Sequence, residues 1–197
     1  MKAPLLRIPS ATYRLQFNAG LRLEDAQRLA CYFADLGISD LYASPLFRAR
    51  ENSSHGYDVV DHATVDPSIG TQDDLESLAR FLRKQGLGLI LDVVPNHMGI
   101  DDEHNRWWQD VLENGPCSPY ATFFDIDWFP PKESLKDKVL LPFLGSQYGT
   151  VLENQELQLA YDGEHFTISY FQRRFPVSPA SWHTILGSSA EFVGEKQ

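Results

Sequence analysis

The sequence is poor in the features that mark several protein classes. Only two cysteines, Cys31 and Cys117, occur in 197 residues, too few for the disulfide framework of a small secreted domain. No apolar run approaches the roughly 20 residues a bilayer-spanning helix needs. The opening Met1-Lys2-Ala3-Pro4-Leu5-Leu6 lacks the long apolar stretch of a signal peptide. The cytoplasm is therefore the expected compartment, and the sequon Asn52-Ser53-Ser54 reads as a chance match. No single-sign charge run, low-complexity tract or internal repeat stands out, which argues against disorder. Basic residues are scarce: 17 Lys and Arg stand against 27 Asp and Glu, a net charge of −10. Such a surface repels phosphates, which argues against nucleic acid or an anionic membrane as main partner. It suits a neutral ligand such as a sugar. His62, His104, His165 and His183 show no metal-ligand spacing such as HExxH. No metal and no cofactor are expected.

What is present is a core-forming chain, 43% apolar, enough for one domain and a smaller lobe. Residues 11–16 alternate as a strand does. Leu23, Ala26, Leu29, Ala30, Phe33 and Ala34 recur at helical spacing over Leu23–Leu36, with Glu24 and Asp25 in the first turn and Gly37 as a stop. Ile38–Ser44 reads as a short strand ended by Pro45. A loop of about 25 residues, Pro45–Gly70, follows; it is rich in His, Asp, Tyr and Ser, and long loops in compact domains are usually functional. Thr71 or Asp73 can cap a second helix that ends at Gly86. Leu87–Val94 is a nearly continuous apolar strand, the kind covered on both faces in parallel sheets.

The first part of the chain thus reads β-α-β-α-β with right-handed crossovers. A dinucleotide fold would need a Gly-rich turn after the first strand, but that turn is Phe17-Asn18-Ala19-Gly20. Polar residues cluster instead after strand C-termini, as at a TIM (β/α)8 barrel mouth. A closed barrel takes about 250 residues, and the alternation stops after Met98. Residues 104–114 look helical, 118–150 are rich in Pro, Gly and aromatics, and Leu157–Tyr161 with His165–Phe171 form a hairpin pattern around Asp162-Gly163. The expectation is an α/β fold: residues 1–103 as the first three β/α units of a barrel, and 104–197 as an α+β insertion lobe after strand 3.

Two motifs carry the functional reading. Asp92-Val93-Val94-Pro95-Asn96-His97 ends the third strand, and HGYDVVD (His55–Asp61) follows the second. Together they resemble the α-amylase superfamily of glycoside hydrolases. PSATYRLQF (Pro9–Phe17), YASPLF (Tyr42–Phe47), NHMGI (Asn96–Ile100), Trp107–Trp128 and YFQRRFPVSPASW (Tyr170–Trp182) resemble the maltooligosyltrehalose synthase family within it, along its N-terminal portion only.

The resemblance implies a maltooligosaccharide or α-1,4-glucan as substrate. It gives His97 a hydrogen bond to the glucose at the cleavage subsite, and Tyr57 an aromatic platform beneath that ring. It groups His55 and Asp58 with the residues lining the site. Asp92, Asn96 and Asp61 support it, Asp58 and Asp61 by holding the loop. Asn96 matches a calcium position in many amylases, but no dense Asp/Asn cluster accompanies it, and a structural hydrogen bond is expected. Trp107 and Trp108 point about 100° apart on a helix, so at most one stacks on sugar; core packing is the default for both.

Retaining α-glucan chemistry needs two carboxylates roughly 5–5.5 Å apart. In the family these follow the fourth and fifth barrel strands, and no stretch here resembles those regions. Asp162, Glu164, Glu191 and Glu195 lie in turns or the tail. The chain is expected to supply one wall of an active site, with the remainder of the barrel missing and no activity of its own. The resemblance implies an isomerase, an intramolecular transglucosylase of trehalose biosynthesis. The alternatives are another enzyme of the superfamily, such as an α-amylase or amylosucrase, and a non-catalytic or vestigial glucan-binding fragment.

Overall fold

The computed structural model describes residues 7–100 and 103–187. The opening segment 1–6, Glu191 and Glu195 lie outside them. The chain divides between His104 and Asn105 into two compact units.

In the first unit, β1 (Thr12–Leu15), β2 (Asp40–Ala43) and β5 (Gly88–Leu91) form a parallel sheet in that spatial order. The helices α1 (Leu23–Asp35) and α2 (Gln72–Lys84) make the crossovers. Side chains alternate across a strand, so Leu15, Leu41, Ala43 and Leu89 share one face. They pack there with Leu23, Ala26, Ala30 and Phe33 of α1 and Leu78 and Leu82 of α2 in a single core. The opposite face carries Arg14, Tyr42 and Ile90 side by side in register. One step along the strands it continues to Gln16, Ser44 and Asp92.

Local chemistry sets the helix ends. At α2 the Asp74 amide donates to Thr71 Oγ1 (3.2 Å) and the Thr71 amide donates to the Asp74 carboxylate (2.8 Å), a reciprocal cap. At α1 the Asp25 carboxylate accepts the Arg22 N–H at 2.8 Å. Gly37 (φ 85°) and Gly86 (φ 76°) end the two helices in the left-handed conformation that glycine adopts at no steric cost.

The structure corrects two expectations. The segment Pro45–Gly70 is not a plain loop. It contains an antiparallel ribbon of β3 (Phe47–Ala49) and β4 (Val59–Val65), whose register shifts twice within three pairs. Those bulges, and Asp61 and His62 inside β4, break the period-two pattern by which a strand is recognised. The strand expected over Leu87–Val94 ends at Leu91, and it is not covered on both faces. Leu91 and Val93 are 46% and 49% exposed. The reason is positional: β5 is an edge of the sheet, with β2 on one side only.

At the other end of the sheet, the buried Asp40 carboxylate accepts Arg7 Nε–H at 2.9 Å and the Ser39 hydroxyl at 2.6 Å. Burial pushes the Asp40 carboxyl up, but the Ser39 hydrogen bond and then Arg7 outweigh it and hold it below the ordinary 3.8. A carboxyl depressed on folding stabilises the fold above its unfolded value, and that stability is lost as pH falls through the folded one. The melting temperature is therefore expected to drop as pH is lowered below the ordinary carboxylate range. Asp40→Asn should flatten that acid limb in a calorimetric pH series. A variant as acid-sensitive as the parent would remove Asp40 as the cause.

The second unit has α3 (Arg106–Asn114), α4 (Tyr148–Glu153), α5 (Trp182–Leu186) and an antiparallel sheet β6-β7-β8. Its strands are β6 (Leu157–Tyr161), β7 (Phe166–Tyr170) and β8 (Arg173–Pro176). Asn105 caps α3 by accepting the Trp108 N–H at 3.0 Å. Trp108 is buried against Phe124, while Trp107 packs with Tyr120 and Phe123. The hairpin at Asp162-Gly163 forms as expected, with the Asp162 carboxylate accepting the Glu164 and His165 amides. The third strand, β8, was not legible because it ends in Pro176. Proline reads against a strand, yet β8 is an edge, where a missing N–H is tolerated.

Candidate functional site

The C-terminal ends of β1, β2 and β5 bring polar groups together on the face opposite the helices. Asp92 lies just beyond β5, its amide donating to the Ala43 carbonyl at 3.1 Å. Its Oδ2 accepts two phenols, Tyr42 at 3.0 Å and Tyr57 at 2.6 Å. Arg14 Nη2 donates to the Tyr57 hydroxyl at 3.1 Å, and its guanidinium carbon lies 5.6 Å from the Tyr42 ring centre, within cation–π range. The bond to the Asp92 carboxylate raises the Tyr42 phenol above its ordinary 10.0, and the bond to Tyr57 raises the Arg14 guanidinium. Tyr42 thus stays protonated and Arg14 charged at neutral pH.

The loop that delivers Tyr57 is held by its own residues. Gly56 has φ 76° and lies against Pro45, where a Cβ would stand 3.3 Å from the Pro45 carbonyl oxygen. That left-handed turn in close approach requires glycine. His55 Nδ1 accepts the Tyr57 amide at 3.0 Å, and its ring lies nearly parallel to the Tyr57 ring, 6.0 Å between centres. Gln16 Nε2 donates to the His55 carbonyl at 3.1 Å, tying the loop to the end of β1. The Asp58 carboxylate is engaged by the Ser53 hydroxyl and lies 3.4 Å from Arg50 Nε.

His97 sits over the same loop. Its Nε2 is 3.1 Å from the Tyr57 carbonyl and its Nδ1 3.0 Å from the Asn96 side-chain oxygen. Both are acceptors, and a neutral imidazole carries one N–H.

Of the residues singled out in the sequence, Tyr57, His97, Asp92, Asn96 and His55 form one contiguous cluster. Asp58 turns into the loop. Asp61 closes a local turn on β4, accepting the Ala63 amide at 2.8 Å and the Thr64 hydroxyl at 3.0 Å. Arg14, Gln16 and Tyr42 were missed as site residues. The signal was there in part: Arg14 and Tyr42 sit at polar positions of strands whose alternate positions are apolar. The cluster is an exposed rim. The cleft of about 680 Å³ in this unit is lined by Arg48, Arg50, Asn52, Asp66 and His104, among others, and not by Tyr57, Asp92 or His97.

The Tyr57 hydroxyl donates a hydrogen bond to Asp92 and accepts one from Arg14, so both engage the ring through its hydroxyl. Asp92 has one oxygen committed to two phenols. Such an arrangement sets an aromatic face beside polar atoms, the pairing of groups that suits the apolar side and the hydroxyls of a sugar ring. Among the described residues, no group of three or more His, Cys, Asp or Glu side chains is placed to hold a metal ion. No described helix is long and apolar enough to cross a membrane.

The sequence profile of the α-amylase catalytic domain matches residues 26–176. The chain belongs to the α-amylase family. A Mycobacterium tuberculosis relative whose name reads maltooligosyl trehalose synthase is 41% identical over 177 residues, 87% of this chain and 22% of that one. The structure of maltooligosyltrehalose synthase from Arthrobacter ramosus superposes with a TM-score of 0.75 at 40% identity, over 88% of this chain and 22% of that one. A Geobacillus thermopakistaniensis cyclomaltodextrinase is 40% identical over 99 residues, but this is 50% of the chain. The chain therefore spans about a fifth of the length of the synthases it matches (22%). In this α-amylase-family chain, the parallel sheet and its two helices are the N-terminal part of the family's (β/α)8 barrel.

Proposed function

We propose that the chain is the N-terminal portion of an intramolecular transglucosylase that acts on maltooligosaccharides. The reaction converts the reducing-end α-1,4 link into an α,α-1,1 link. The observation that carries this reading is the extent of the likeness. It runs along 87% of the chain for a maltooligosyl trehalose synthase and 50% for the cyclomaltodextrinase. The synthases therefore share the second unit as well as the barrel segment. We read residues 1–103 as the first three barrel units and 104–197 as a lobe inserted after the third strand. Cys31 and Cys117 are free thiols, which fits a reducing cytoplasm.

In this reading Tyr57 is the platform under the glucose at the cleavage subsite. Asp92, Tyr42 and Arg14 fix its plane. His97 reaches the same sugar by exchanging its hydrogen bond to the Tyr57 carbonyl for one to a hydroxyl. The nucleophile and the acid/base lie outside this chain. The nucleophile takes the anomeric carbon of the penultimate glucose, and the acid protonates the departing 4-oxygen. The freed glucose then attacks through its 1-hydroxyl, whose proton returns to the base, and the nucleophile leaves. An acceptor held in place outcompetes water. The 197-residue chain alone has no turnover.

The test is the product of the full-length protein on maltopentaose. The expected result is loss of reducing ends without matching release of glucose, and a product ending in a trehalose unit. A gain of reducing ends would indicate a hydrolase of the same family. No conversion by a folded full-length protein would favour a vestigial glucan-binding role.

A further inference from the structure

We propose that Arg14 is a positioning residue that sets the orientation of Tyr57, and that it acts through the Tyr57 hydroxyl. The meaning of this for turnover rests on the function proposed above. Arg14 lies on the helix-free face of β1, beside Tyr42 in register. Its Nη2 donates to the Tyr57 hydroxyl at 3.1 Å and its Nη1 to Gln16 Oε1 at 2.9 Å. Gln16 in turn donates to the His55 carbonyl at 3.1 Å. One side chain of the first strand thus holds the platform directly and, through Gln16, the backbone two residues before it.

The geometry explains why a single carboxylate would not suffice. Asp92 Oδ2 anchors the Tyr57 oxygen at 2.6 Å, but one hydrogen bond leaves the ring free to swing about the hydroxyl. A second bond to the same oxygen, from a donor on another strand, removes that freedom. A planar guanidinium has paired N–H groups in a fixed fork. It can bridge Tyr57 and Gln16 at once, which an ammonium cannot do with the same directions. Arg14 and Asp92 also hold opposite charges on the two sides of the Tyr57 hydroxyl. Both bonds are made to the hydroxyl.

The test compares Arg14→Ala, Arg14→Lys, Tyr57→Phe and the Arg14→Ala/Tyr57→Phe double variant in the full-length protein. Arg14→Ala is expected to lower kcat about tenfold, with KM within about threefold, the mark of misplacement rather than lost affinity. Arg14→Lys should recover less than half of the loss, and added guanidinium ion should restore part of it in Arg14→Ala. In the Tyr57→Phe background, Arg14→Ala should cost less than about twofold, since the hydroxyl it acts through is gone. A loss that is the same in both backgrounds would overturn the proposal. So would an unchanged kcat in Arg14→Ala.

A second measurement does not depend on turnover. In the 197-residue chain, hydrogen exchange at the Gly56 and Tyr57 amides should quicken about tenfold in Arg14→Ala while the amides of α1 and α2 stay as protected as in the parent. Unchanged exchange at both loop amides would overturn the proposal even if the full-length variants fail to fold. A parent protein that converts no maltooligosaccharide, but whose loop loosens in this way, defeats the proposed function and leaves the positioning role standing.

Discussion

Replacing Gly88 by alanine is expected to destabilise the first unit by about 3 kcal/mol, a large share of the 5–15 kcal/mol that holds a typical domain together. A Cβ on Gly88 would stand 1.7 Å from Asp40 Oδ1 and 2.8 Å from its carboxyl carbon, far inside contact distance. Gly88 and Asp40 are register partners in adjacent parallel strands and face the same side. The methyl group can be admitted only by expelling the carboxylate or separating the strands. Expulsion breaks the bonds of Asp40 to Arg7 and Ser39 and with them the clasp in which Arg7 Nη2 also donates to the Gly86 carbonyl at 2.9 Å. Strand separation removes the pairing of β2 with β5. Urea unfolding followed by far-ultraviolet circular dichroism and by hydrogen exchange at the β2 and β5 amides measures the loss. The double variant Asp40→Ala/Gly88→Ala should recover part of it, because the clash is with that carboxylate. A Gly88→Ala chain within about 0.5 kcal/mol of the parent, the range of an ordinary surface change, would show that the strands do not approach so closely.

Replacing Asp92 by alanine in the full-length protein is expected to lower kcat on maltopentaose about 100-fold, the scale of an ångström-sized misplacement at a reacting centre. Asp92 is the one acceptor shared by Tyr42 and Tyr57. Without it both phenols lose their partner, and Tyr57 is left on Arg14 alone. Asp92→Asn should cost less, since a carboxamide oxygen still accepts from a phenol but carries no charge to face Arg14. Tyr42→Phe should cost least, because it removes a second donor and leaves the Tyr57 bond intact. That ranking separates loss of the Tyr57 anchor from general damage to the rim. Initial rates read with the melting temperature test it. An Asp92→Ala enzyme within threefold of the parent would remove Asp92 from the support of the platform.

In the function proposed above, the exposed rim is one wall of a sugar site whose chemistry lies outside it. Tyr57 and His97 sit on loops after the second and third parallel strands. In the second unit two carboxylates serve local structure: Asp162 closes the β6–β7 turn and Glu113 pairs with His165 at 2.9 Å. Neither has the isolated, facing partner that glycosidic cleavage needs.

Much of the first unit was legible because its signals are local. The spacing of Leu23, Ala26, Ala30 and Phe33 marks α1, Thr71, one of the two caps the sequence offered, marks the start of α2, and Gly37 and Gly86 mark the helix ends. Each acts within a few residues of itself. The β3–β4 ribbon escaped because its bulges destroy the alternation, and β8 because its proline is tolerated only at an edge.

The alternation of β1, α1, β2, α2 and β5, the apolar face beneath the helices and the positions of Tyr57 and His97 after strands were written into the sequence, because side-chain periodicity and chain-terminating residues fix them locally. The meeting of Arg14, Tyr42, Tyr57 and Asp92 was decided only by the tertiary structure. It spans separations of 43 residues for Arg14–Tyr57, 35 for Tyr57–Asp92 and 50 for Tyr42–Asp92. No periodicity reaches so far. Strand register and the turn at Gly56 choose which polar groups meet, and both are set by hydrogen bonds and packing that exist only once the sheet has formed.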